Sequence, residues 1–144
     1  MSRYLIILLV LLLGTSFLYG GKQATPLQML FSLKKVFPDV NEYAVFVDAN
    51  ELSALKPKLE RAAAQSQNKI QVYPVKSATD IGKHIKAVAD GAHLIIFDSK
   101  VFNHSKSKLY ILSKCKEKQI ALITTSEDYT QSGAVVGIYR DTEG

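Results

Sequence analysis

The stretch Gln119–Tyr139, QIALITTSEDYTQSGAVVGIY, decides the fold. Its first six residues, Gln119 to Thr124, form a short apolar run with strand character, too short for a free-standing helix. Thr124-Thr125-Ser126-Glu127-Asp128 is a polar elbow where that strand ends. One or two helical turns follow, Gly133 stops them, and Ala134–Tyr139 reads as another buried strand. A buried strand, a helix and a second buried strand make the unit from which parallel sheets are built. In an open α/β sheet, ligands bind outside the carboxyl ends of the strands. The elbow therefore marks both the fold and a candidate site.

The same unit recurs toward the N-terminus. His93–Phe97 (HLIIF) reads as a strand ending in Asp98-Ser99, and a loop over residues 101–105 leads to a helix over 106–118. Leu109, Leu112 and Cys115 are expected on its inner face, with Ile111 close by. Ile70–Val75 (IQVYPV) reads as an edge strand, because Pro74 has no ladder donor. Tyr43–Val47 (YAVFV) reads as a strand buried on both faces, ending in Asp48-Ala49-Asn50. Thr25-Pro26 starts a helix with a hydroxyl cap and a proline at its first position. Leu27, Leu30, Phe31 and Lys34 recur along it, and Phe37-Pro38 ends it. A helix from Ser53 to Gln67 carries Leu55, Leu59, Ala62 and Ala63 on one face, with Pro57 expected in the first turn. Ser77 and Asp80 resemble a capping box with aspartate in place of glutamate. Ile81, Ile85, Val88 and Ala89 form the stripe that follows, closed by Asp90-Gly91.

Strands alternating with helices, joined by right-handed crossovers, predict a three-layer α/β/α sandwich. Its five-stranded, mostly parallel sheet has the expected order 2-1-3-4-5. The 144 residues suit one such domain, over residues 25–144. Eighteen Lys and Arg against thirteen Asp and Glu give a net charge of +5. The lysines are spread over several helices without a basic block, so they read as a solvated face and no nucleic-acid partner is expected. The single cysteine excludes an intramolecular disulfide and a cysteine-rich zinc site. Residues 1–20 carry Arg3, the apolar run Leu5–Leu13 and then Gly14, Ser16 and Gly20, with Gly21 next, the pattern of a secretory signal. Cleavage after Ser16 or after Gly20 is consistent with the small residues there. The alternative is an uncleaved membrane anchor over residues 4–19, a span shorter than the roughly 20 residues a crossing helix needs. A periplasmic or secreted location follows from the first reading.

Asp48, Asp98, Ser99, Thr125, Ser126, Glu127 and Asp128 all fall at predicted strand ends and are the candidate ligand-binding residues. Parallel strands would gather them along one edge, where helix N-termini offer N–H groups to an anionic group such as a carboxylate. Taken alone, Asp48, Ser99 and Ser126 are each better read as caps and turn formers; taken together, the edge is better read as a ligand site. Phosphorylated receiver domains also place aspartates after the first and third strands. They need a second acid beside the first and a lysine after the fifth strand, where this chain has Ala49 and Tyr139-Arg140. His84, His93 and His104 lack metal-ligand spacing, and His84 is expected as a half-buried packing residue. Cys115 is expected as a structural thiol. No catalytic base pairs with Ser126, so no enzyme activity and no cofactor are expected.

The run from Pro26 to Tyr139 resembles one lobe of the ABC-transporter substrate-binding proteins of the tryptophan/tyrosine-binding type. The matching segments are LKKVFPDVNEYAVFVD, GAHLIIFDS and, most specifically, IALITTSEDYTQSGAVVGIY. The resemblance implies a periplasmic-binding-protein-like lobe that holds an aromatic or branched amino acid at its sheet edge. It marks Asp98, Ser99, Ser126, Glu127 and Asp128 as cleft residues and an ABC permease as a partner. Family members join two lobes, whereas these 144 residues account for one, without the helix expected after the fifth strand. A lone lobe implies one of three modes: binding on an open edge, a homodimer that supplies the second wall, or an interaction or regulatory protein. In the last mode the lobe contacts a membrane sensor or transporter and has lost transport.

Overall fold

A computed structural model describes residues 24–134 and 136–138. The signal read in residues 1–20 and the tail from residue 139 lie outside the described residues. In chain order the elements are α1 (Pro26–Val36), β1 (Glu42–Asp48), α2 (Leu52–Ser66), β2 (Lys69–Val75), α3 (Ala78–Ala87) and β3 (His93–Ile96). Then come α4 (Lys100–Asn103), α5 (Ser105–Glu117), β4 (Ala121–Thr124), α6 (Glu127–Gln131) and β5 (Val136–Gly137). The sheet order is β2-β1-β3-β4-β5 and each of its four pairings is parallel. The expected order therefore holds, and the sheet is parallel throughout the described residues.

Strand alternation divides the core into two halves. Tyr43, Val45 and Val47 of β1 point to one face with Ile95, Phe97 and Ile123, against Met29, Leu30 and Leu33 of α1 and Leu59, Ala62 and Ala63 of α2. Phe46, Leu94, Ile96 and Leu122 point to the other, against Ile81 and Ile85 of α3 and Ile111 and Cys115 of α5. The central strands are therefore apolar at nearly every position, because a parallel sheet is covered on both sides. Each fully buried aliphatic or aromatic side chain contributes roughly 1.5–3 kcal/mol.

Local signals explain most boundaries. Thr25 caps α1 by accepting from the Gln28 N–H (3.3 Å), while the Gln28 side chain accepts from the Thr25 N–H (3.0 Å), a reciprocal capping box. At α3 the box is displaced: the Ser77 side chain makes no capping bond, and Asp80 instead accepts from the Lys76 N–H (2.9 Å). α3 ends at Ala87, so Ala89 and Asp90 fall in the turn that Gly91 completes at φ +75°. Edge position suits β2, whose Pro74 carbonyl meets His84 Nε2 at 2.9 Å. His84 is half-buried there, packed against Tyr73 and Phe46.

Four expectations need correction. Phe31 is 48% exposed, and Met29, Leu30 and Leu33 form the inner face of α1 instead. Leu109 is likewise 66% exposed, and α5 turns Ser107, Ile111 and Cys115 inward. Both helices carry two overlapping apolar stripes, and packing against the sheet selects one of them. Pro57 is the sixth residue of α2, in the second turn rather than the first. The carbonyl it leaves without a donor belongs to exposed Ser53, where water can satisfy it. The expected loop over 101–105 contains α4, which buries Phe102 completely.

Two lysines close helix C-termini whose cap residues, Gln67 and Val88, are not glycine. Lys34 Nζ donates to the Ser66 carbonyl at the end of α2 (2.6 Å). Lys118 Nζ reaches the carbonyls of Ile85, Lys86 and Val88 at 3.1, 3.4 and 2.6 Å, and lies 3.4 Å from Asp90. A cation there satisfies orphan carbonyls and opposes the negative end of the helix dipole. Lys118→Met should cost roughly 1.5–3 kcal/mol in urea unfolding, the range for hydrogen bonds to a charged group. Lys116→Met, on the same chain segment but exposed, should stay within about 0.5 kcal/mol. Equal effects would refute the capping role.

The Lys76 N–H that Asp80 accepts holds its carboxyl below the usual aspartate range. With a folded pKa below the unfolded one, this contribution is present above the unfolded pKa of about 3.9 and is lost as pH falls through the folded value. Asp80→Asn should therefore flatten the acid limb of the stability profile below about pH 4, measured by unfolding at successive pH values.

Candidate functional site

Three loops leave the carboxyl ends of β1, β3 and β4. Phe46 pairs with Ile96, and Ile96 with Thr124. Continued for two residues, that register sets Asp48, Asp98 and Ser126 abreast along the edge.

Each residue there is held differently. Asp48 Oδ1 accepts from the Asn50 N–H at 2.9 Å, and the Asp48 carbonyl accepts from the Glu51 N–H at 2.9 Å. This turn positions Asn50 and Glu51 at the start of α2. The Asp98 N–H donates to Thr125 Oγ1 (2.9 Å), and its carboxylate accepts from Asn103 Nδ2. Ser126 donates from its N–H to Thr124 Oγ1 (2.9 Å) and from its hydroxyl to Asn103 Oδ1 (3.4 Å). Beneath them Tyr129, fully buried, donates to the Phe102 carbonyl (2.6 Å). Thr125 and Ser126 are only 4% and 5% exposed.

Asp98, Asn103, Thr125 and Ser126 thus form a clasp that ties the β3–α4 loop to the β4–α6 loop. Glu127 and Asp128 stand outside it, exposed in the first turn of α6. Ser99 occupies the cap position of α4 without a capping bond, and its buried hydroxyl has no hydrogen-bond partner among the described residues.

The strand order adds a feature that the polar residues alone do not reveal. From β1 the chain crosses over one face toward β2, and from β3 it crosses over the opposite face toward β4. The two crossovers diverge, so the loops at the ends of β1 and β3 part and leave a crevice. A pocket of about 300 Å³ lies there, lined by Asn50, Glu51, Ala54, Leu55, Lys58 and Phe97. None of the seven candidates lines it. Asp48 supports it through the turn that sets Asn50 and Glu51, and Asp98 directly follows Phe97. Once the order 2-1-3-4-5 is assigned, the switch-point rule points to the residues just after β1. That signal is present in the sequence, beside the more conspicuous polar elbow.

Burial pushes the Cys115 thiol up to about 12, which keeps it protonated and unreactive at neutral pH. Burial also raises the Tyr129 and Tyr43 hydroxyls and lowers His93. Among the described residues, no group of three or more His, Cys, Asp or Glu side chains could hold a metal ion. No described helix is long and apolar enough to cross a membrane.

No protein-family model matches this chain, and no curated protein matches it. Among solved structures it is similar to a crystal structure described as a conserved domain protein from Vibrio cholerae O1 biovar El Tor. The TM-score is 0.67 at 15% identity, over 78% of this chain and 38% of that one. The likeness is one of fold. The chain spans less than half the length of this neighbour.

The clasp and the exposed acids should separate in mutagenesis. Thr125→Val keeps the shape but strips the acceptor from the Asp98 N–H, and should cost about 1–3 kcal/mol in denaturant unfolding. Glu127→Gln should leave stability within about 0.5 kcal/mol. A neutral Thr125→Val would show that the clasp does not hold the edge.

Proposed function

We propose that this lobe is an exported, non-enzymatic solute-binding module related to ABC-transporter substrate-binding proteins. Its ligand is a small molecule of amino-acid size, bound at the carboxyl edge of the sheet. The crevice between β1 and β3 carries this reading. It combines an apolar wall (Ala54, Leu55, Phe97), an amide (Asn50) and charges of both signs, Glu51 and Lys58. A zwitterion fits that chemistry: Glu51 suits an ammonium group, Lys58 a carboxylate, and the apolar wall a side chain. Its volume of about 300 Å³ lies at the lower end of the range for small-molecule sites.

The surrounding edge supports the same reading. The clasp of Asp98, Thr125 and Ser126 fixes one loop beside the crevice, and the Asp48 turn fixes the other. Ser99 holds an unused hydroxyl at the end of β3, and Glu127 and Asp128 add negative charge farther along the edge. The pocket is open to solvent, with Asn50, Glu51, Ala54 and Lys58 all exposed. A second wall, from another lobe or from a second copy in a homodimer, would desolvate the ligand and strengthen each polar contact. Residues 1–20 support export to the periplasm or beyond, which would place the module before an ABC permease or a membrane sensor.

A thermal-shift screen of the common amino acids and small organic acids tests the reading. A true ligand at about 100 times its Kd should add roughly 2.7 kcal/mol of stability. Lys58→Met should weaken that ligand about ten-fold or more, equivalent to about 1.4 kcal/mol, with unfolding in urea unchanged. Absence of a shift from every compound would sink the proposal, as would a shift that Lys58→Met and Glu51→Gln both leave intact.

A further inference from the structure

Lys58 lines two pockets. One is the crevice at the carboxyl edge. The other, of about 180 Å³, lies farther along α2, where Lys58, Arg61 and Ala62 border it together with Thr25, Pro26 and Leu27 at the start of α1. Helical spacing explains the shared residue. Glu51, Leu55, Lys58 and Ala62 follow one another at steps of three and four, so they fall on one side of α2, and Arg61 stands three residues beyond Lys58. At a rise of 1.5 Å per residue, Glu51 starts about 10 Å before Lys58 along the axis and Arg61 about 4.5 Å after it.

The charges along this line do not cancel. Glu51 is the one acid among the described residues that lines either pocket, against two cations, Lys58 and Arg61. None of the three makes an ion pair among the described residues, and Glu60, next to Arg61 in sequence, pairs with Lys56 at 3.9 Å. Two further acids at this end of the sheet are engaged with their own loops. Asp48 Oδ1 accepts from the Asn50 N–H, and the Asp98 carboxylate accepts from Asn103. The part of α1 that borders the second pocket is its N-terminal turn, where the helix dipole favours negative charge. A neutral amino acid bound in the crevice uses Glu51 for its ammonium and Lys58 for its carboxylate, and leaves Arg61 unmatched.

We propose that the solute of this site is an acidic amino acid whose side-chain carboxylate is held by Arg61. The inference rests on the crevice being the solute site, and it names the class of solute. One ammonium and two carboxylates complement one acid and two cations. A guanidinium donates two parallel hydrogen bonds to a carboxylate, whereas a side-chain amide of the same shape offers one acceptor and turns its own N–H donors toward those of the arginine. Arg61 therefore separates glutamate from glutamine, and aspartate from asparagine. The methylene stem of such a ligand packs on the apolar surface of Ala54 and Leu55. This departs from the aromatic or branched side chain that the family resemblance implies, since neither brings a charge to Arg61.

Isothermal titration of the purified protein with glutamate, aspartate, glutamine, leucine and tyrosine tests the assignment. The tighter of the two acids should bind about ten-fold or more better than glutamine, leucine or tyrosine, the scale of one hydrogen bond to a charged group. The margin should shrink between about 0.05 and about 0.5 M salt. Arg61 is exposed, so Arg61→Met should leave urea unfolding unchanged while lowering the acid's affinity to that of glutamine. Arg61→Lys, which keeps the charge, should retain a preference for the acid, and Lys58→Met should weaken glutamate and glutamine alike. Leucine, tyrosine or glutamine binding as tightly as the acids would overturn the inference and leave the solute-binding reading standing. So would an acid affinity that Arg61→Met does not change. Absence of binding by all five compounds would overturn the inference together with the reading on which it rests.

Discussion

Everything about the carboxyl edge depends on the parallel pairing of β1 with β3, Ala44–Phe46 against Leu94–Ile96. Parallel neighbours cannot be joined by a tight turn, so each strand must leave by a crossover. Because β2 lies on one side of β1 and β4 on the other side of β3, right-handed crossovers force the chain to opposite faces of the sheet. The crevice at the ends of β1 and β3 is a consequence of that divergence. No residue in it has to bend the backbone to make room. A ligand site there needs only suitable side chains on loops that the topology has already separated.

The polar residues at the strand ends divide between scaffold and surface. Asp98, Asn103, Thr125 and Ser126 lie at the boundary of a dry core, where unpaired donors would each cost about 1–3 kcal/mol. They satisfy one another, and the result is two loops held at a fixed separation. This is a structural use of the residue types that a ligand site also needs. Ser99 departs from the pattern, with a buried hydroxyl that finds no described partner. Such groups are uncommon in folded proteins and tend to mark places with a polar capacity in reserve.

The fold was legible because its signals are redundant. YAVFV, HLIIF and IALIT are apolar at consecutive positions, which only a strand buried on both faces requires, and helix caps separate them. Helix orientation was less legible. On α1 and α5 the sequence offers two adjacent apolar stripes, and nothing local chooses Leu33 over Phe31 or Ile111 over Leu109. The choice is made by which stripe meets the pleated surface of the sheet. The site was partly legible for a related reason. Polar residues at strand ends stand out in a sequence, yet those nearest the core are spent on one another. Asn50, Glu51 and Lys58 look like ordinary helix-start residues until the strand order places them beside Phe97.

The charge follows the same division. A net +5 spread over many lysines suggests a uniformly solvated surface, but position gives each lysine a different role. Lys34 and Lys118 reach across to carbonyls at the ends of α2 and α3, where a cation meets both unsatisfied acceptors and the negative end of a helix dipole. Lys114 pairs with Glu117 along its own helix. Lys58 stands at the crevice, beside apolar surface and without a described ion pair. A lysine beside exposed apolar surface is different from one in open solvent. Its partner, when one arrives, brings a negative charge into a setting where water is being displaced, and the attraction grows as the dielectric falls.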